Sequence, residues 1–113
     1  MISRFVVVVR TGQVDASVGF YRDVLGGEVT GAHGRATFVQ VGPGVVEVLA
    51  DDAGARTETT MLALKVESLD GWPDRLSAAG APLLYGPIGL EGGGESLGTR
   101  DPNGVSVNLF TVP

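Results

Sequence analysis

The chain nearly repeats itself. The run Val6-Val7-Val8-Val9-Arg10-Thr11, followed by Val14-Asp15, returns 55 residues later as Met61-Leu62-Ala63-Leu64-Lys65-Val66, followed by Leu69-Asp70. In both places an apolar, strand-like run ends in a basic residue, and a short turn leads to an apolar-Asp pair that opens a helical stretch. The first helix is predicted over Ala16–Leu25, with Asp15 as N-cap, Gly26-Gly27 as stop, and Val18, Tyr21 and Leu25 as its buried stripe. The second is predicted over Trp72–Ala79, with Asp70 capping, Pro73 in the first turn and Gly80 closing it.

Three short strands should follow each helix: Glu28–Gly31, Ala36–Val41 and Val45–Leu49, then Pro82–Tyr85, Glu95–Thr99 and Val105–Phe110. Gly42-Pro43-Gly44 and Asp101-Pro102-Asn103-Gly104 are turn sequences, each feeding a last strand. Eighteen glycines and six prolines suit so many tight connections. At 113 residues the chain has room for one α+β domain. It divides into module one over 1–50, a polar linker over Asp51–Thr60, and module two over 61–113. Each half is only about 55 residues and has a marginal core alone, so the two are expected to close on each other.

Charge and composition narrow the partners. The net charge is −5 and the pI about 4.6, so a phosphate backbone would be repelled and nucleic acid is not expected. No apolar run approaches the ~20 residues of a membrane helix. The opening Met1–Val9 is too short and is ended by Arg10 with no small-residue cleavage site, so it reads as a buried strand and the cytoplasm as the expected address. There is no cysteine, which removes disulfides and thiolate chemistry. Glu91-Gly92-Gly93-Gly94-Glu95 lacks the Lys and Ser/Thr of a phosphate loop and reads instead as a mobile flap.

The phrase Ala16-Ser17-Val18-Gly19-Phe20-Tyr21-Arg22-Asp23-Val24-Leu25-Gly26-Gly27 resembles the first helix of the vicinal-oxygen-chelate superfamily. So does Arg100-Asp101-Pro102-Asn103-Gly104 followed by an alternating strand. That superfamily includes glyoxalase I, extradiol dioxygenases, fosfomycin-resistance transferases and bleomycin-resistance proteins. The resemblance covers essentially the whole chain. It implies paired βαβββ modules, with two four-stranded sheets forming a cupped cleft and helices outside.

The resemblance also implies four metal-ligand positions, two usually histidine and two usually glutamate. Here they fall on Val6, Glu47, Met61 and Asn108, so one of four keeps its donor type. A catalytic divalent metal usually needs about three His or carboxylate ligands, and a facial-triad iron site needs two histidines and a carboxylate. The single histidine, His33, lies between glycines and reads as a solvated turn residue. No metal or other cofactor is expected, and an extradiol dioxygenase is excluded unless another chain supplies ligands.

Strand alternation sorts the side chains by face. If Val6 lies in the cup, Val8 and Arg10 share its face, while Phe5, Val7 and Val9 pack under the helix. Met61, Ala63 and Lys65 face the cup; Glu47 does so with Val45 and Leu49, and Asn108 with Ser106 and Phe110. The candidate ligand-binding residues are therefore Val6, Val8, Phe38, Glu47, Met61, Ala63, Trp72, Asn108 and Phe110. Plainer roles stay open for several of them. Met61 would serve as gap-filling core, Trp72 as cover for an apolar edge, Arg10 and Lys65 as surface charges, and Glu47 as an edge charge facing water. The expected function is metal-free binding of an aromatic or cationic small molecule, of the bleomycin-resistance type. The alternative is a metal-independent isomerase or lyase with Glu47 as general base, and Asn108, Arg10 or Lys65 steadying negative charge. A homodimer is expected, because each half has a free sheet edge and the linker is long enough for exchange.

Overall fold

The computed structural model describes residues 6–51 and 61–113. Phe5 and most of the predicted linker lie outside the described residues. The chain divides into two compact units, Met1–Arg56 and Thr57–Pro113, and each is a βαβββ module taken here by itself.

In the first unit β1 (Val6–Thr11) leads to α1 (Val14–Gly19), a π-helical turn (Phe20–Val24), β2 (Glu28–His33), β3 (Ala36–Val41) and β4 (Gly44–Ala50). The sheet order is β1-β4-β3-β2, with β1 parallel to β4 and the other pairs antiparallel. One face is dry. Val9, Thr11, Val39, Val46 and Val48 are buried on it, and the helical segment packs there against β3 and β4. Polar groups that enter this face are satisfied. Thr11 Oγ1 accepts the Gln13 N–H at 2.7 Å and the Ser17 hydroxyl at 3.2 Å, which ties the end of β1 to the start of the helix.

The helix differs from its predicted form in two ways. It begins at Val14, with Gln13 as N-cap and no side-chain capping bond, so Asp15 sits in the first turn rather than at the cap. Its buried residues are Ser17, Phe20, Tyr21 and Val24, whereas Val18 and Leu25 are only half-buried. The cause is the π turn. Leu25 N–H bonds to Phe20 C=O, a five-residue step that rotates the last turn and brings Phe20 and Val24 inward. The Phe20 and Tyr21 rings then meet edge to face, 5.2 Å apart.

The second unit repeats the plan with β5 (Met61–Lys65), α2 (Trp72–Ala78), β6 (Tyr85–Gly89), β7 (Glu95–Arg100) and β8 (Ser106–Phe110), in sheet order β5-β8-β7-β6. Leu62, Leu97, Val107, Leu109 and the helical Leu76 are buried. Pro73 stands in the first turn as predicted. The cap is Gly71 in the left-handed conformation, however, not Asp70. β6 also begins at Tyr85 rather than Pro82, and its pairing with β7 is irregular between Tyr85 and Ile88. Asp101 Oδ1 accepts the N–H groups of Asn103 and Val105, both at 2.8 Å. This Asx-type turn starts β8 and sets which of its residues face which way.

The Glu91–Gly94 segment is a hydrogen-bonded hairpin turn between β6 and β7. Leu90 N–H bonds to Gly94 C=O, and Glu95 exchanges backbone and hydroxyl hydrogen bonds with Thr111. A Cβ on Gly93 would press on the Pro113 ring. Among the described residues, no helix is long and apolar enough to cross a membrane.

Candidate functional site

Each sheet has a second face that carries the predicted site residues, and the register places them in rows. In the first sheet, β1–β4–β3–β2 partners give the row Val8–Glu47–Phe38–Gly31. Val6, Val45 and Gln40 form the row to one side, and Arg10, Leu49, Ala36 and His33 the row to the other. Directly opposed residues point to the same face, so Val6, Val8, Phe38 and Glu47 do share one surface. The predicted parity holds, since Val46 and Val48 are buried on the opposite side.

Glu47 is half-buried in this row, flanked across the strands by Val8 and Phe38 and along its own strand by Val45 and Leu49. Val8 is 45% exposed, an apolar side chain left open beside a carboxylate. Arg10 is one pair further along the same face, yet the ion pair among the described residues is the exposed Arg22–Asp23 contact at 2.7 Å. Arg10 makes no ion pair with Glu47 there. His33 is the last residue of β2, exposed and paired with Ala36, rather than a turn residue.

In the second sheet the corresponding row is Ala63–Asn108–Gly98–Tyr85, with Lys65–Phe110–Ser96–Ile88 on one side and Met61–Ser106–Arg100 on the other. Met61, Ala63, Asn108 and Phe110 therefore share a face as expected. Met61 is 66% exposed, which rules out its alternative role as core filler. Trp72 stands apart from both rows. It opens α2, with the Arg75 guanidinium 5.2 Å from its ring, and lines a shallow cavity of about 280 Å³ with Asp70, Gly71 and Arg75.

Tyr85 and Ser96 lie beside Asn108 on this face and were missed from sequence. Asn108 Nδ2 donates to the Tyr85 hydroxyl, to Ser96 Oγ at 2.6 Å and to Leu97 C=O at 3.3 Å. The Tyr85 and Ser96 oxygens are 3.2 Å apart. Gly98 makes this possible, because any Cβ there would collide with the Tyr85 ring.

The donor set at the four metal positions is Val6, Glu47, Met61 and Asn108. Valine offers nothing, the thioether is a soft donor, and Asn108 offers a neutral amide oxygen in place of a carboxylate. Among the described residues no three His, Cys, Asp or Glu side chains gather in a way that could hold a metal ion. A divalent metal of the kind this fold often carries does not fit these residues.

A repeated βαβββ module defines a fold that hosts many activities rather than one. Residues 4–109 match the family model of the glyoxalase/bleomycin resistance protein/dioxygenase superfamily, and the chain belongs to that superfamily. No curated protein matches it. Among solved structures, an integron cassette protein from the mobile metagenome of the Halifax Harbour sewage outfall superposes with a TM-score of 0.82 at 23% identity, covering 99% of this chain and 100% of its own. Lactoylglutathione lyase from Agrobacterium tumefaciens gives 0.77 at 21% identity, covering 97% and 94%. The genomically encoded fosfomycin resistance protein of Listeria monocytogenes, solved with Mn(II) and a dihydroxypropylphosphonic acid, gives 0.82 at 16% identity, covering 100% and 93%. At these identities the likeness is one of fold.

Proposed function

We propose that this protein binds an aromatic or cationic small molecule without a metal, in the manner of the bleomycin-resistance branch of its superfamily. The observation that carries the reading is Glu47. A half-buried carboxylate ringed by Val8, Phe38, Val45 and Leu49, with no hydrogen bond or ion pair among the described residues, is costly until a positive group meets it. The aromatic face of Phe38 beside it suits an aromatic cation, which would gain charge pairing and stacking together. Three of the four metal positions support the same reading, because Val6 and Met61 offer no hard donor and Asn108 only a neutral amide oxygen.

Calorimetric titration with a panel of aromatic cations, bleomycin among them, tests it. At least one compound is expected to bind with micromolar affinity, and Glu47→Gln to weaken that binding at least tenfold. A panel that leaves the protein silent, or a Glu47→Gln variant that binds as tightly, would overturn the reading. The same unpaired carboxylate favours one rival, a metal-independent isomerase or lyase with Glu47 as general base. In that case Glu47→Gln abolishes turnover and leaves ligand affinity largely intact, because the amide keeps the shape but accepts no proton.

A further inference from the structure

Asn108 holds more information than its place in a row. Its amide could be turned either way, but Leu97 C=O can only accept, so the atom 3.3 Å from it is the nitrogen. Nδ2 has two hydrogens for these three acceptors, one directed at Leu97 O and the other shared between Ser96 Oγ and Tyr85 Oη, and Oδ1 is turned away from all three. No partner for Oδ1 occurs among the described residues, and the side chain is only half-buried.

The hydroxyls complete the pattern. Both receive from Asn108, so each retains its own hydrogen to give. Their oxygens are 3.2 Å apart, which lets one hydrogen bridge them. Ser96 is 5% exposed and Tyr85 43% exposed. Either oxygen could be the donor across this gap; a bridging hydrogen from the buried Ser96 satisfies that hydroxyl and leaves the Tyr85 O–H, on the more exposed side chain, to point outward. A phenol oxygen that already accepts two hydrogen bonds is a strengthened donor through cooperative polarisation. The surface thus offers one fixed donor, Tyr85 O–H, beside one fixed acceptor, Asn108 Oδ1. Gly98 fixes the ring position by leaving room for it, and Ser96 and Leu97 fix the amide.

We propose that Tyr85 and Asn108 form a two-point recognition site for a carboxamide-type group, with Tyr85 O–H donating to the ligand carbonyl and Asn108 Oδ1 accepting from the ligand N–H. Amides, lactams and cyclic ureas present that pair in the required order; esters and carboxylates do not. The proposal rests on the small-molecule reading above for the kind of partner and adds the polar group that the second sheet selects.

The test uses benzamide and methyl benzoate, which share a ring and a carbonyl but differ in the N–H. Each is titrated into ¹⁵N-labelled protein while the Asn108 side-chain NH₂ and Gly98 backbone resonances are followed. Benzamide is expected to shift both resonances saturably and to bind about fivefold or more tighter than methyl benzoate, the factor one hydrogen bond supplies. Tyr85→Phe should remove that preference while keeping a dispersed spectrum. Equal binding of the two probes by the unmodified protein, or no binding of either, overturns the proposal whatever the variants do. Persistence of the preference in folded Tyr85→Phe overturns it as well. A failure of aromatic cations to bind at Glu47 would leave these outcomes unchanged, so the two readings fail separately.

Discussion

Replacing Glu47 by leucine should make the protein more stable. The carboxylate is half-buried between Val8 and Phe38, with Val45 and Leu49 before and after it, and has no partner among the described residues. Full burial of a leucine side chain contributes about 1.5–3 kcal/mol. At a half-buried position roughly 1 kcal/mol of that is available, and relief of the partly desolvated charge adds to it with the same sign. Leucine also suits a strand better than glutamate, within a scale of about 1 kcal/mol. The expected gain is therefore at least about 1 kcal/mol. For a chain of 113 residues, an unfolding entropy of about 2.1 cal/mol/K per residue converts this to an increase of roughly 4 °C in Tm. Calorimetry or thermal circular dichroism on both proteins would measure it, with ligand titration alongside. Natural sequences keep such a destabilising group where function requires it, so the stable variant should be the one that no longer binds cations. A Glu47→Leu variant that melts several degrees lower would refute the reasoning, because it would mean the carboxylate already has a favourable partner.

Two further outcomes follow from other parts of the chain. Thr99 is fully buried, and its Oγ1 has no hydrogen-bond partner among the described residues. Thr99→Val should raise stability by about 1 kcal/mol in urea unfolding with an unchanged slope, and a loss would show that the hydroxyl is satisfied. The protein is expected to be a homodimer in solution, and light scattering across a concentration series that gives a strict monomer would count against it.

Much of the fold was legible because the repeat carried it. Val6–Thr11 and Met61–Lys65 recur as matching apolar runs, so once the resemblance placed Val6 and Met61 the faces followed from parity alone, and Val46 and Val48 fixed the parity of Glu47. The turns were legible for the same local reason, since Asp101-Pro102-Asn103-Gly104 contains its own hydrogen-bond acceptor. The helix stripe was misjudged because a regular 3.6-residue period assigns Val18 and Leu25 to the core, while the π turn hands those roles to Phe20 and Val24. Nothing local in Phe20-Tyr21-Arg22-Asp23-Val24 announces that extra residue. The Tyr85–Ser96–Asn108 cluster was invisible for a different reason. Its members come from three strands and meet only when β6 starts at Tyr85 and Gly98 leaves room for the ring. The glycine in the middle of a predicted strand was the available hint of a close approach.

The central proposal is that the candidate site works without a metal, with the Glu47 carboxylate and the Asn108 amide as its polar anchors. Titration of the chelator-treated protein with Mn(II), followed by the electron paramagnetic resonance signal of the free ion, tests that claim most directly. The predicted result is a free-ion signal that rises in proportion to added Mn(II), with no saturable site below about millimolar, as expected of a single carboxylate. A stoichiometric site of micromolar affinity that disappears in Glu47→Gln would contradict the account.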